Sequence, residues 1–163
     1  MERKLEVLAS LLNEVGPISC NSFNDRLSIQ KKAYLLKVFG LDPGFSFTYY
    51  KRGPLSWELW KNALELTKIT PKGISFNDNE AEKRFNEYKK FILPYACNPR
   101  MLELLASMQF WVAKNPELTK REIFQKLKDK LHDILDTPDF SDEECEEAWK
   151  YLSRWSEYTG VSC

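Results

Sequence analysis

The chain has 163 residues, of which 43% are hydrophobic and 29% are charged, the ordinary composition of a folded globular protein. Lys plus Arg and Asp plus Glu each number 24, so the formal net charge is zero. This balance argues against a uniformly basic nucleic-acid-binding protein and against an acidic solvating tail. Aromatic residues make up 13% of the chain and include five Trp, and rings of that size need a core, a partner or a ligand to cover them.

The chain carries no signal for export or membrane insertion. Its N-terminus, MERKLEVLASLLNEVGP, lacks the apolar core and cleavage site of a signal peptide, and no apolar run approaches the roughly 18 residues that span a bilayer. The four cysteines are far apart and form no C-x-x-C pair, which favours a reduced interior. We therefore expect a cytoplasmic protein with no membrane partner.

The first half of the chain predicts three helices and two short strands. Apolar residues at helical spacing predict helices over 2–15, 22–39 and 57–68. Alternating aromatic and polar side chains predict a strand within 45–54, and 74–76 is expected to form a second short strand. The apolar face of the second helix is too wide for a surface helix, so we expect this helix to lie at the centre.

The second half predicts four helices with clear start signals. These helices are expected over roughly 78–92, 99–114, 119–134 and 141–158, opened by Asn77, Asn98-Pro99, Thr119 and Ser141. Pro138 separates the last two. The predicted fold class is thus mainly α: a single-domain helical bundle of about six or seven helices with a small two-stranded β element. The domain covers 1–160, with a basic unit at 26–72, a helical second half at 78–158 and a tail at 161–163.

The net charge of zero conceals a basic middle segment. Residues 26–72 contain nine basic and three acidic residues, a net charge of +6, and they hold the helix–strand–turn–helix unit. Two lysines of the second helix are expected on its outward face, and two basic residues follow Tyr50 at a turn. The candidate residues for binding a partner or a nucleic acid are Lys31, Lys32, Tyr50, Lys51 and Arg52.

These candidates leave two functions open beside an ordinary solvated surface. A winged-helix-like DNA-binding transcriptional regulator would use the basic side chains on phosphates. A protein-interaction module would use Tyr50 with its charged neighbours, since interfaces favour aromatic residues and Arg.

Most tryptophans fall on helical stripes that predict core packing. Trp57, Trp60 and Leu64 share one stripe of the third helix. Trp155 and Tyr158, near the C-terminus, are expected to form a spare exposed patch that serves self-association as a homodimer.

Catalytic and metal-binding signals are weak in this sequence. His132 is the only histidine and lies near a helix end, where a structural or exposed role is the usual one. Cys97 precedes a helix N-terminus, a position that can activate a thiol but that a small buried residue also fills. Zinc-ligand spacings and glycine-rich phosphate loops are absent. We expect no enzyme activity, no metal and no cofactor.

One stretch resembles a known family. LSIQKKAYLLKVFG, followed by an aromatic strand and GPLSWELW, resembles the Panacea domain, the SocA-like antitoxin family. Lys51-Arg52 stands where the family usually has an aromatic-rich stretch before the Gly-Pro turn. The later PDFSDEECEEAWKYL resembles the closing helix of related uncharacterised microbial proteins, with Phe140, Ala148, Trp149 and Leu152 as its apolar marks. The resemblance implies a helical domain that binds another protein, often a toxin or a phage-associated regulator, and it implies no catalytic residues. The matching residues of the first stretch are Gln30, Lys31, Tyr34, Leu35, Leu36, Gly53 and Pro54.

Overall fold

The computed structural model describes residues 2–131 and 140–163, without the side chains of residues 130 and 131. His132, Pro138 and the predicted end of the seventh helix at 134 lie outside the described residues. The described elements are α1 (Glu2–Asn13), α2 (Phe23–Val38), β1 (Thr48–Tyr50), β2 (Gly53–Leu55), α3 (Trp57–Lys61), α4 (Ala63–Lys68), α5 (Asn79–Ile92), a 3-10 turn (Leu93–Tyr95), α6 (Pro99–Lys114), α7 (Lys120–Leu131), α8 (Asp142–Ser153) and α9 (Ser156–Thr159).

The predicted mainly α fold with a small β element is confirmed. The described residues contain nine α-helices rather than about six or seven, because two predicted helices are each broken in two. Asn62 separates α3 from α4, and its side-chain amide donates to the Glu58 carbonyl at 2.7 Å. Residues 154–155 separate α8 from α9.

Side-chain caps fix where most helices begin. Ser22 and Ser141 each accept from the backbone N–H three residues later, and each forms a reciprocal capping box. Asn98 caps α6, with Pro99 at its first position. At α5 the predicted cap is off by one residue, because Asp78 rather than Asn77 accepts from the N–H of Glu80.

The β element is a hairpin built from neighbouring residues. β1 and β2 pair antiparallel, with Tyr50 opposite Gly53, so Lys51 and Arg52 form the turn between them. The expected second strand at 74–76 is wrong, since residues 70–76 run as irregular chain. Gly53 makes the local pairing feasible because its φ of 102° suits the tight turn.

The core lies around α2 and α6, as the wide apolar face of the second predicted helix indicated. Every residue from Met101 to Phe110 of α6 is buried. α6 contacts α2, β2, α7 and α8, and α2 also contacts α1, α3 and α5. The hairpin therefore packs against the two most central helices. Across residues 2–131 and 140–163, none of the helices has the length and apolar character to cross a bilayer.

Candidate functional site

A polar clamp from α2 holds the corner where the hairpin enters α3. The Gln30 amide donates from Nε2 to the Ser56 carbonyl at 3.1 Å and accepts from the Ser56 N–H at 2.8 Å. The Ser56 hydroxyl in turn accepts from the Leu59 N–H and caps α3. These bonds satisfy backbone groups that burial would otherwise leave without partners.

Lys31 does not lie on an outward face, and that prediction is wrong. The residue is only 1% exposed, and its Nζ donates to the Pro54 carbonyl at 2.7 Å. Burial lowers the pKa of the Lys31 ammonium to about 7, an effect that Glu103 opposes and Arg52 reinforces. A lysine can be buried here because the hairpin backbone and a carboxylate of α6 provide its charge with partners.

Gly53 brings the hairpin close against the two central helices. A Cβ at this position would collide with the Ser107 hydroxyl of α6 and would lie 3.3 Å from Lys31 Nζ. Gly53 and Pro54 of the second motif thus meet Lys31 of the first, and Ser56 of the second motif bonds Gln30 of the first. Four of the seven residues that carry the resemblance to the Panacea domain, Gln30, Lys31, Gly53 and Pro54, therefore lie at this corner of the hairpin.

Arg52 extends this cluster toward solvent. Its Nε donates to Glu103 Oε1 at 2.8 Å, and the exposed fraction of the Glu103 side chain is only 3%. Burial raises the pKa of Glu103, while the charges of Arg52 and Lys31 oppose that rise. The guanidinium carbon of Arg52 also lies 5.4 Å from the centre of the Phe23 ring.

An open cleft lies between the start of α2, the hairpin and α3. It encloses about 540 Å³, and we call it the hairpin cleft. Phe23, Tyr50 and Trp57 line it and are 53%, 44% and 48% exposed. The Tyr50 and Trp57 rings meet edge to face at 5.0 Å. Its lining residues are Phe23, Leu27, Lys31, Tyr50, Lys51, Arg52, Gly53, Leu55, Trp57 and Trp60.

The stripe of Trp57, Trp60 and Leu64 was predicted to belong to the core, and for Trp57 and Leu64 this is wrong. Leu59, Ala63 and Leu66 are buried instead, while Trp57 and Leu64 are exposed. The buried positions 59, 63 and 66 keep the i, i+4, i+7 spacing of one helix face across Asn62, so the buried face is a different one from the predicted stripe of Trp57 and Leu64.

Three cations surround the hairpin cleft, each beside an aromatic ring. Lys51 Nζ lies 5.8 Å from the Tyr50 ring, and Arg26 lies 5.7 Å from the Trp60 ring. Arg52 completes the set beside Phe23. The cleft therefore combines apolar surface with positive charge, a combination that protein interfaces favour.

Lys32, the remaining predicted site residue, does not join the hairpin cleft. It lines a separate cavity of about 290 Å³ together with Cys97 and Asp25. Burial lowers the pKa of Lys32, and the nearby Cys97 and Asp25 oppose that fall. Neighbouring helix positions differ by about 100° in direction, which explains why Lys31 and Lys32 face different surroundings.

The expected exposed patch at the C-terminus is not present. Trp155 is half-buried, packs against Phe91 and donates from Nε1 to Glu87 at 3.1 Å. Tyr158 stacks on Phe39 with ring centres 4.7 Å apart. These partly buried rings pack against the core and do not form the expected exposed patch.

Two important residues of the cluster were not predicted from the sequence. Glu103 is the single acidic residue within the apolar run 101–112, and a charge on a helix buried on all sides requires a partner. That conflict was the available signal. Phe23 follows the helix cap directly, and its exposure has no comparable signal in the sequence.

Comparison with known proteins finds no matching family model, curated protein or solved structure. Within the described ranges, no group of three or more His, Cys, Asp or Glu side chains is arranged to hold a metal ion.

Proposed function

We propose that the protein is a non-enzymatic interaction module whose partner protein binds at the hairpin cleft. The observation that supports this proposal is the exposure of Phe23, Tyr50 and Trp57 around one cleft. Large rings exposed together are costly to leave in water, and clustered aromatics beside Arg are typical of the residues that dominate binding energy at interfaces.

The resemblance to the Panacea domain refines this proposal to an antitoxin-like protein or a phage-associated regulator. Its support is that the motif residue Lys31 contacts Gly53 and Pro54, and Gln30 bonds the nearby Ser56, at the corner that borders the hairpin cleft. The motif would then serve to hold the binding surface in shape. If a neighbouring gene encodes a small toxin, co-expression of the two proteins should restore growth, and Trp57→Ala should abolish that rescue.

The experiment that tests the general proposal is comparative capture of partners. Tagged wild-type protein, Tyr50→Ala, Trp57→Ala and the control Leu93→Ala are purified from source cells, and the co-purifying proteins are quantified by mass spectrometry. Leu93 is similarly exposed, at 54%, but does not line the hairpin cleft. A protein retained by the wild type and the control but lost with the cleft variants supports the proposal. Equal recovery with all four proteins contradicts it.

A winged-helix-like DNA-binding regulator is the second candidate, favoured by the basic tip of the hairpin at Lys51 and Arg52. The burial of Lys31 counts against it, because that lysine donates to the Pro54 carbonyl and is not available to a phosphate. DNA affinity that falls steeply between about 50 and 200 mM salt would support this candidate. Absence of binding, or binding that does not depend on salt, would contradict it.

A further inference from the structure

The Arg52 guanidinium bonds Glu103 through one of its N–H groups and, in the part of the chain that the structure describes, leaves its other donors available. Its Nε donates to Glu103, and this is the one hydrogen bond that the structure gives it within the described residues. The guanidinium has five N–H donors, and its planar fork suits a carboxylate. About a quarter of the side chain remains exposed, on a turn residue that lines the hairpin cleft.

The charges around the hairpin cleft do not balance. Glu103 faces both Arg52 and Lys31, so the buried cluster carries an excess of positive charge when Lys31 is protonated. The nearby carboxylate of Glu58 is engaged by Lys4 of α1 at 2.9 Å. Lys51 and Arg26 add further positive charge beside the exposed rings. The cleft is therefore complementary to an anion that also has apolar surface.

We infer that the hairpin cleft receives an acidic segment of the partner protein, in which an apolar side chain packs against Tyr50 and Trp57 while a neighbouring carboxylate binds Arg52. This inference rests on the proposed function and names the chemistry of the partner at that same cleft. Nucleic acid fits less well, because a duplex backbone offers phosphates without apolar side chains, and each cation here lies against an aromatic ring.

The first test selects binders from a displayed library of random 12-residue peptides on the full-length wild-type protein. We expect enrichment of peptides with Asp or Glu beside a large apolar residue, and loss of their binding with Trp57→Ala. If the peptides depend on the cleft but are neutral or basic, this inference fails and the proposed function stands. If no peptide depends on the cleft, both fail.

The second test uses the strongest selected peptide and its matched partner, in which the acidic residue is replaced by the corresponding amide. We expect at least a tenfold loss of affinity for the amide peptide, measured by fluorescence anisotropy. This arm changes the peptide alone, so it does not depend on how any variant of the protein folds. Equal affinity for the two peptides would overturn the inference.

The third test changes the arginine itself. Arg52→Lys should weaken the acidic peptide about tenfold and leave the amide peptide unchanged, because Lys keeps the charge but loses the fork geometry. Arg121→Lys, at an exposed position of α7 outside the cleft, is the matched control and should alter neither affinity. A 20-base-pair DNA duplex that displaces the acidic peptide at 150 mM salt would overturn the inference in favour of nucleic acid.

Discussion

Two arginine–glutamate pairs of the protein differ in burial and in the number of hydrogen bonds between the partners. In the hairpin pair, Arg52 bonds Glu103 once, at 2.8 Å, and the carboxylate is buried. In the capping pair, Arg100 bonds both oxygens of Glu144, at 2.7 and 2.9 Å, at a half-exposed position where Glu144 also caps α8. Each guanidinium lies near a phenylalanine ring, Arg52 at Phe23 and Arg100 at Phe140.

The pKa values of the two carboxylates, Glu103 and Glu144, are shifted in opposite directions. Hydrogen bonds from Arg100, aided by the backbone of Ser141, lower the pKa of Glu144 to about 2. Burial raises the pKa of Glu103 although the charges of Arg52, Lys31 and Arg100 oppose that rise. Desolvation thus outweighs attraction at the hairpin pair, while hydrogen bonding dominates at the capping pair. The capping pair uses both oxygens of its carboxylate at a helix start, whereas in the hairpin pair Arg52 bonds its carboxylate once and lines the hairpin cleft.

The largest expected effect on the free energy of unfolding comes from a substitution at Gly53, where the hairpin packs against α6. Gly53→Ala should lower the free energy of unfolding by about 3 to 5 kcal/mol, because it adds backbone strain at positive φ and a collision with Ser107. Gly16→Ala is the matched control, since Gly16 also has positive φ but has open space around it, and we expect a loss of about 1 to 2 kcal/mol. Urea denaturation measures both, and equal losses would contradict the proposed role of the close approach.

The next largest effect is expected from a substitution that removes the carboxylate of the hairpin pair. Glu103→Gln should cost about 3 kcal/mol in free energy of unfolding, because the buried Lys31 and Arg52 then lose the carboxylate that offsets their charge. Urea denaturation at pH 7 provides the measurement. A loss below about 1 kcal/mol, the value typical of surface pairs, would contradict the proposed role of Glu103 in offsetting these charges.

Lys31, which lies beside the hairpin pair, should make the free energy of unfolding depend on pH. Its folded-state pKa of about 7 lies below the ordinary 10.5, so unfolding takes up a proton between these values and stability rises with pH across that window. Lys31→Met abolishes this dependence. The stability of Lys31→Met relative to wild type should therefore fall by about 2 kcal/mol between pH 7 and 9. Urea titrations of both proteins at each pH measure it, and a constant difference would contradict the burial of a titrating amine.

The smallest effect concerns the capping pair. Glu144→Gln should cost less than about 1 kcal/mol at pH 7, because water and salt screen this pair. The folded-state pKa of Glu144 is lowered, so its contribution is present above the ordinary value of 4.5 and is lost as pH falls toward 2. The cost of the substitution should shrink across that range and in high salt. A cost as large as that of Glu103→Gln would remove the distinction between the two pairs.

Local signals in the sequence predicted much of the fold. Ser22, Asn98 and Ser141 mark helix starts because capping involves residues three positions apart, and the sequence displays that spacing directly. The strand pairing was predicted less well. Residues 74–76 have strand-like composition, but the two-residue turn at Lys51-Arg52 allowed β1 to pair with the chain that follows immediately.

The candidate site was only partly predictable because its contacts are long-range. Tyr50, Lys51 and Arg52 were identified from a local cluster of aromatic and basic residues, and the structure places them in one cleft. The environment of Lys31 depends on Pro54, 23 residues away, and on Glu103, far along the chain on α6. No periodicity within α2 reveals such partners, so a lysine on that helix was assigned to solvent.

The exposure of Trp57 makes the hairpin cleft a fluorescent reporter of its own occupancy. Trp57 is exposed, whereas Trp60, Trp111, Trp149 and Trp155 are half-buried. A collisional quencher such as iodide would reach the Trp57 indole first and leave most of the remaining emission intact. A ligand seated in the cleft would shield that indole, so binding could be followed as lost quenching, without a label on either molecule.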